Sequence, residues 1–177
     1  LARHPSAEGH QFTISELEQP ACAAIQSTDL LRILLNLTIN ALQSTTAPHC
    51  VEVIAQLLPP DFDTTSFHDS TDERFVGRDT LAKSGQLIAI SVHDNGPGIP
   101  SDKLDRVFLA FSRVDNRYDS EASGTGLGLA LVRGVARAHG GKVWVESEGH
   151  DEIKYPGSIF HFQLPVEPQV TQPIKQP

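Results

Sequence analysis

Apolar residues recur along this chain with two periods, and the periods alternate. Phe12 and Ile14 alternate with polar neighbours in HQFTISE, which predicts a short strand, with ACAAIQS (21–27) as its pairing partner. Thr28 is a predicted N-cap with Asp29 in the first turn, and the spacing then turns helical to about Ser44, through Ile33, Leu34, Leu37 and Ala41. CVEVIAQLL, stopped by Pro59 and Pro60, predicts a strand, and QLIAISVHD predicts its long-looped hairpin partner. Residues 59–85 between them are rich in Asp, Ser and Thr with little periodicity, and read as a mobile insertion. After Asp94 come a Gly- and Pro-bearing turn, a predicted N-cap at Ser101, a short helix and an irregular polar stretch over 111–124. Helical spacing returns with Leu127, Leu131, Val135 and Ala138, and Gly140 and Gly141 stop it. KVWVESE and SIFHFQLP form a last strand pair, with Val143 and Val145 on one face and Phe160, Phe162 and Leu164 on one face. From Pro165 the Pro- and Gln-containing tail has no periodicity and is expected to be disordered. The expected architecture is an α/β (α+β) two-layer sandwich over 1–165. Its sheet is mixed and mostly antiparallel, with about three helices on one face, and 166–177 is a tail or linker.

Composition narrows the function classes. The 177 residues suit one domain with a substantial core. No apolar run approaches the ~18 residues of a membrane span, so no direct membrane contact is expected. A formal charge of −8 argues against broad nucleic-acid affinity, so any phosphate site must be local. Two cysteines, Cys22 and Cys50, make no disulfide framework and fit a reducing cytoplasm. The absence of Met and the opening on Leu1 suggest a piece of a longer protein.

Four stretches carry candidate chemistry. In a strand, Ile88, Ile90, Val92 and Asp94 point the same way, so a carboxylate faces the core side at the strand's end. An inward carboxylate is costly without a donor. Either Asp94 caps a simple turn, or it accepts from an exocyclic amine such as adenine's, with Gly96 and Gly98 letting the backbone approach a flat ring. In NLTINALQ, Asn36, Asn40 and Gln43 share one polar face of an apolar helix. Amide oxygens suit a hard cation such as Mg²⁺ that takes most of its neutralising charge from phosphates. In SGTGLGLALVRG, Gly124, Gly126 and Gly128 lead into a helix whose exposed N–H groups and dipole favour phosphate. In DRVFLAFSRVDNR, Phe108 and Phe111 can anchor a loop, and Arg113 and Arg117 can reach a phosphate.

In this order, the four stretches resemble the N, G1, F and G2 boxes of the ATP-binding catalytic domain of sensor histidine kinases. HGGKVWVES and PGSIFHFQLP are similar to that family's closing segment, so the resemblance runs from about His10 to Pro165 outside the insertion. It implies the Bergerat ATP-binding fold shared with gyrase, Hsp90 and MutL, with ATP and Mg²⁺ as ligands. By that resemblance Asp94 binds the adenine amine, Asn40 binds Mg²⁺, Asn36 supports the phosphate end, and Gly126 and Gly128 line the triphosphate. ATP contacts are further expected at Gln43, Gly96, Gly98, Ile99, Phe111, Gly124, Thr125, Leu127 and Leu129, with 111–124 as the ATP lid. Asn36, Arg113 and Arg117 are the expected catalytic set.

The resemblance also distinguishes reactions. The gyrase, Hsp90 and MutL relatives carry a water-activating glutamate where this chain has Asn36, so hydrolysis lacks its usual base. Phosphoryl transfer needs mainly positioning and charge neutralisation. The implied reaction is donation of the γ-phosphoryl group to a histidine on a separate dimerisation domain. No such helical hairpin is visible here, so the chain alone is not expected to autophosphorylate. A response regulator receiver domain is the implied downstream partner. The alternatives are a degenerate nucleotide-binding scaffold and a serine kinase of the anti-sigma type. Gln43 stands where many members carry a basic residue, which puts that phosphate contact in doubt.

Overall fold

The computed structural model describes residues 9–44, 50–59, 86–112 and 126–166. The expectations placed on Arg113, Arg117, Gly124 and Thr125 lie outside the described residues, as do nearly all of the insertion, the lid and the tail.

Among the described residues the elements in chain order are β1 (Gln11–Ser15), α1 (Ser27–Gln43), β2 (Cys50–Leu58), β3 (Leu87–Asp94), a 3-10 helix (Ser101–Arg106), α2 (Gly128–Ala138), β4 (Lys142–Glu146) and β5 (Ser158–Pro165). The strands make one sheet in the order β1-β2-β3-β5-β4. β1 runs parallel to β2, and every other neighbouring pair is antiparallel. β2 and β3 form the expected hairpin, from Val51 opposite Asp94 to Leu58 opposite Leu87. α1 lies against β2 and β3, α2 lies against β4 and β5, and the helices touch each other.

One core fills the space between the layers. Ile33, Leu37 and Ala41 of α1 and Val132 and Ala136 of α2 bury against Val92, Phe160 and Phe162 of the sheet. This is the single-face helical layer that the two apolar helix spacings imply.

Four local expectations are corrected. Residues 21–27 do not pair with β1. The parallel register sets Phe12 beside Val51 and lets it pack on the core, while Ala23 bridges antiparallel to Val166. α1 starts at Ser27 rather than being capped by Thr28, because the Gln26 carbonyl already accepts from Asp29 and Leu30 N–H at 3.0 Å. Ser101 is inside the 3-10 helix, and the Pro100 carbonyl opens it by accepting from Lys103 N–H. Order continues past the expected start of the tail: Pro165 ends β5, and Val166 N–H donates to the Gln86 carbonyl at 2.8 Å.

The sheet face away from the helices carries a polar cluster. The Trp144 ring stacks on His161 with centroids 4.6 Å apart. His161 Nε2 lies 3.1 Å from Glu146 Oε1, and its Nδ1 lies 2.9 Å from Ser91 Oγ. A neutral imidazole fits these neighbours, with Nε2–H toward the carboxylate and Nδ1 accepting the serine proton. Burial holds the His161 pKa below 6.5, against the attraction of Glu146 and with the help of His93. A depressed histidine pKa favours the unfolded chain once that chain begins to protonate, so stability falls as pH drops below 6.5. His161→Gln is expected to lose less stability than the parent between pH 7.5 and 5, read as urea midpoints; equal losses would contradict this.

Candidate nucleotide site

Asp94 closes β3 on the face shared with Val92, as strand parity requires, and is buried at 9% exposure. Burial pushes its pKa from 3.8 up to about 6. Hydrogen bonds from the backbone N–H groups of Gly96, at 2.8 Å, and Ser158 pull the other way, as does His93. A carboxylate aimed by two main-chain donors, with its charge incompletely compensated, can accept from an outside amine.

The turn after Asp94 abuts the end of α1. A Cβ on Gly96 would lie 2.5 Å from Ser44 Oγ and 2.8 Å from Asp94 Oδ1, so only glycine lets these two groups close on the turn. Asn95 Oδ1 accepts from Cys50 N–H at 2.8 Å and ties the turn to the start of β2. Gly98 has φ 78, and the side chain of Ile99 is buried in the core. Of the expected purine contacts, Ile99 is therefore held by the protein itself.

α1 carries the expected amides. Asn36 donates from Nδ2 to the Arg32 carbonyl at 2.7 Å, and its Oδ1 faces Gly128, where a Cβ would come within 2.7 Å. One turn on, Asn40 is half-buried and its side chain makes no hydrogen bond to the described residues. Gln43 is exposed. The polar face of α1 thus starts against the first residue of α2 at Asn36 and ends against the turn after Asp94 at Ser44. Eight residues of helix separate these points, about 12 Å, the scale of a nucleoside triphosphate.

The expected phosphate end lies at the start of α2. Gly128 is its first residue and Leu127 precedes it; Leu129 packs against the core. Gly126 has φ 69, and its carbonyl accepts from Phe111 N–H at 3.0 Å, which joins the third and fourth motifs. The two phenylalanines divide their roles. Phe108 is the buried anchor, edge-on to Phe160 at 6.2 Å, whereas Phe111 is 75% exposed with φ 63.

Two serines were not among the expected site residues. Ser158 is buried opposite Asp94 in the β3–β5 register and donates its N–H to the carboxylate. Its signal was available, since pairing SIFHFQLP against the Asp94 strand brings a polar residue beside it. Ser44 follows Gln43 by one residue, but its closeness to Gly96 depends on a contact 52 positions away.

A magnesium ion fits this donor set only together with a substrate. Among the described residues no three His, Cys, Asp or Glu side chains cluster to hold a metal. One amide oxygen, from Asn40, uncommitted among the described residues, suits an ion whose remaining ligands are phosphate and water.

Known proteins resemble this chain in sequence and in fold. A family model described as histidine kinase-, DNA gyrase B-, and HSP90-like ATPase matches residues 25–168. The chain is 39% identical over 115 residues to the adaptive-response sensory kinase SasA of Synechocystis sp., covering 65% of this chain and 27% of that protein. It spans 20% to 27% of the length of such curated relatives. Among solved structures it resembles the mycobacterial sensor histidine kinase MprB, with TM-score 0.63 and 26% identity over 91% of this chain and 86% of that one. It is also similar to full-length ShkA in complex with AMPPNP, with TM-score 0.63 and 27% identity over 92% of this chain and 27% of that one. Among the described residues no helix is long and apolar enough to cross a membrane. The chain belongs to the histidine kinase-, DNA gyrase B- and HSP90-like ATPase family, as an ATP-binding domain of the sensor histidine kinase type with the Bergerat fold.

Proposed function

We propose that this domain binds Mg·ATP and donates the γ-phosphoryl group to a histidine on a separate dimerisation domain, as the catalytic part of a two-component sensor kinase acting in the cytoplasm. One observation carries the reading: the polar face of α1 joins the turn of Asp94 to the glycine-led start of α2, with the Asn40 amide between them uncommitted among the described residues. Asp94 accepts from the adenine amine, and the open backbone at Gly96 gives the ring room. Asn36 steadies the phosphate end beside Gly128, and the N–H groups at the start of α2 receive phosphate oxygens. Asn40 would hold Mg²⁺, which supplies neutralisation of phosphate charge when bound. Arg113 and Arg117 reach the γ-phosphate and balance charge during transfer. Asn36 cannot take a proton from water, so ATP is kept for a histidine nucleophile rather than hydrolysed. A response regulator receiver domain then takes the phosphoryl group.

The test combines the chain, a purified histidine-bearing dimerisation domain and ATP labelled at the γ position. Acid-labile label on the added domain is expected, and Asn40→Ala should abolish it without moving the thermal midpoint. Absence of label on histidine overturns the reading in favour of a nucleotide-binding scaffold, and acid-stable label overturns it in favour of a serine kinase.

A further inference from the structure

The purine-facing turn is held from a direction that none of the ligand-facing motifs supplies. Between β4 and β5 the chain makes a loop, residues 147–157. Four consecutive residues of the turn give a backbone group to it. The Gly96 carbonyl accepts from Gly157 N–H at 2.9 Å, and the Pro97 carbonyl accepts from Asp151 N–H at 2.8 Å. The Gly98 carbonyl lies 3.0 Å from His150 Nδ1, which must donate because a carbonyl can only accept. Ile99 N–H donates to Ser147 Oγ at 2.9 Å.

Ser147 is where the two strands of this arrangement meet. Its hydroxyl accepts from Ile99 and turns its own proton toward the carbonyls of Gly157, at 2.9 Å, and Gly149, at 3.2 Å. A single oxygen therefore links the end of the turn to both ends of the loop. The loop has its own internal support. Asp151 Oδ1 accepts from the N–H groups of Ile153 and Lys154 at 2.8 and 2.9 Å, and the Asp151 carbonyl accepts from Tyr155 N–H at 3.1 Å. The loop is thus a stiff partner rather than a slack connection, and the turn it grips carries Asp94 at its base.

We propose that Ser147 is a positioning residue for purine recognition: through the 147–157 loop its hydroxyl presets the turn that aims Asp94, so it governs which base is bound while touching no ligand itself. The inference rests on the reading of Asp94 as the acceptor for the adenine amine. Losing the hydroxyl orphans Ile99 N–H and releases one side of the turn. Asp94 keeps its carboxylate but loses its fixed aim, and preorganisation is where the affinity for the amine is lost.

The experiment titrates the full chain with Mg·ATP and with Mg·ITP, which lacks the exocyclic amine, by calorimetry. The parent is expected to prefer ATP. Ser147→Ala should lower ATP affinity about tenfold, the worth of one hydrogen bond, with ITP affinity unchanged, so that the ATP/ITP ratio collapses. Ser147→Thr should restore the ratio. A folded Ser147→Ala protein with the parental ratio, or one weakened equally toward both nucleotides, overturns the proposal. Should Ser147→Ala fail to fold, His150→Ala decides in its place: a ratio reduced severalfold supports the proposal, and a parental ratio overturns it. A parent with no preference for ATP over ITP instead sinks the assignment of Asp94, so the two failures are told apart.

Discussion

Asp94→Asn is expected to make the ligand-free protein more stable at pH 7 and to weaken its ATP binding strongly. Burial holds the Asp94 pKa near 6 against 3.8 in an ordinary setting, and the two backbone donors do not cancel that burden. The gap corresponds to a cost of about 3 kcal/mol for keeping the group ionised in the folded state. Asparagine keeps an oxygen for the Gly96 and Ser158 N–H groups and carries no charge, so most of that cost disappears. At this chain length the gain is expected to raise the thermal midpoint by about 5 °C or more. The NH₂ group of asparagine would meet the adenine amine donor to donor, which should weaken Mg·ATP by about 100-fold. Scanning calorimetry and a titration, both at pH 7, read the two effects. A lower midpoint or retained affinity would sink the assignment.

The pH dependence has a fixed sign. Asp94 is a carboxylate with a raised pKa, so the folded state binds its proton more tightly than the unfolded chain does. Its burden is full above about 6, shrinks between 6 and 3.8, and is gone below 3.8. The stability difference between parent and Asp94→Asn should therefore close over that interval. ATP affinity should weaken over the same range as the acceptor becomes protonated.

Gly157→Ala is expected to be strongly damaging. Gly157 has φ 78, where an L side chain is strained, and an added Cβ would drive into the Asp94 carbonyl. Backbone cannot step aside as a side-chain tip can. Strain and overpacking together should cost about 3 kcal/mol or more, lowering the midpoint by roughly 10 °C. Because Gly157 N–H also holds the Gly96 carbonyl, nucleotide binding should fall with stability. Gly134 is the control. It is exposed in α2 with nothing within 4 Å of an added Cβ, and Gly134→Ala should be neutral or stabilising by up to about 1 kcal/mol. Similar midpoints for the two variants would contradict the packing at Gly157.

Periodicity made the helical layer and the aim of Asp94 readable, because both are set within one element. Ile33, Leu37 and Ala41 mark the buried face of α1, and counting by twos from Ile88 puts Asp94 on the core side. Starts of helices were less legible: Thr28 and Ser101 have the chemistry of caps, but the carbonyls of Gln26 and Pro100 set the first bonds. Pairing of β1 was hidden because adjacency in sequence favoured residues 21–27, whereas burial of Phe12 favoured Val51. The largest gap lay in residues whose role comes from distant partners. Ser147 meets Ile99 across 48 positions, and no local spacing announces that contact. Phe108 and Phe111 look alike in sequence; only the fold sends one to Phe160 and the other to the surface.

α1 touches the purine turn through Ser44 at one end and the start of α2 through Asn36 at the other. In the proposed binding mode the separation between base and phosphates is thereby measured along a helix of constant pitch. A ruler of this kind is set by α1 alone and does not depend on the lengths of the connections elsewhere in the chain. A residue inserted within α1 has no such licence: it would rotate Asn40 by about 100° away from its neighbours and put the nucleotide's two ends out of step.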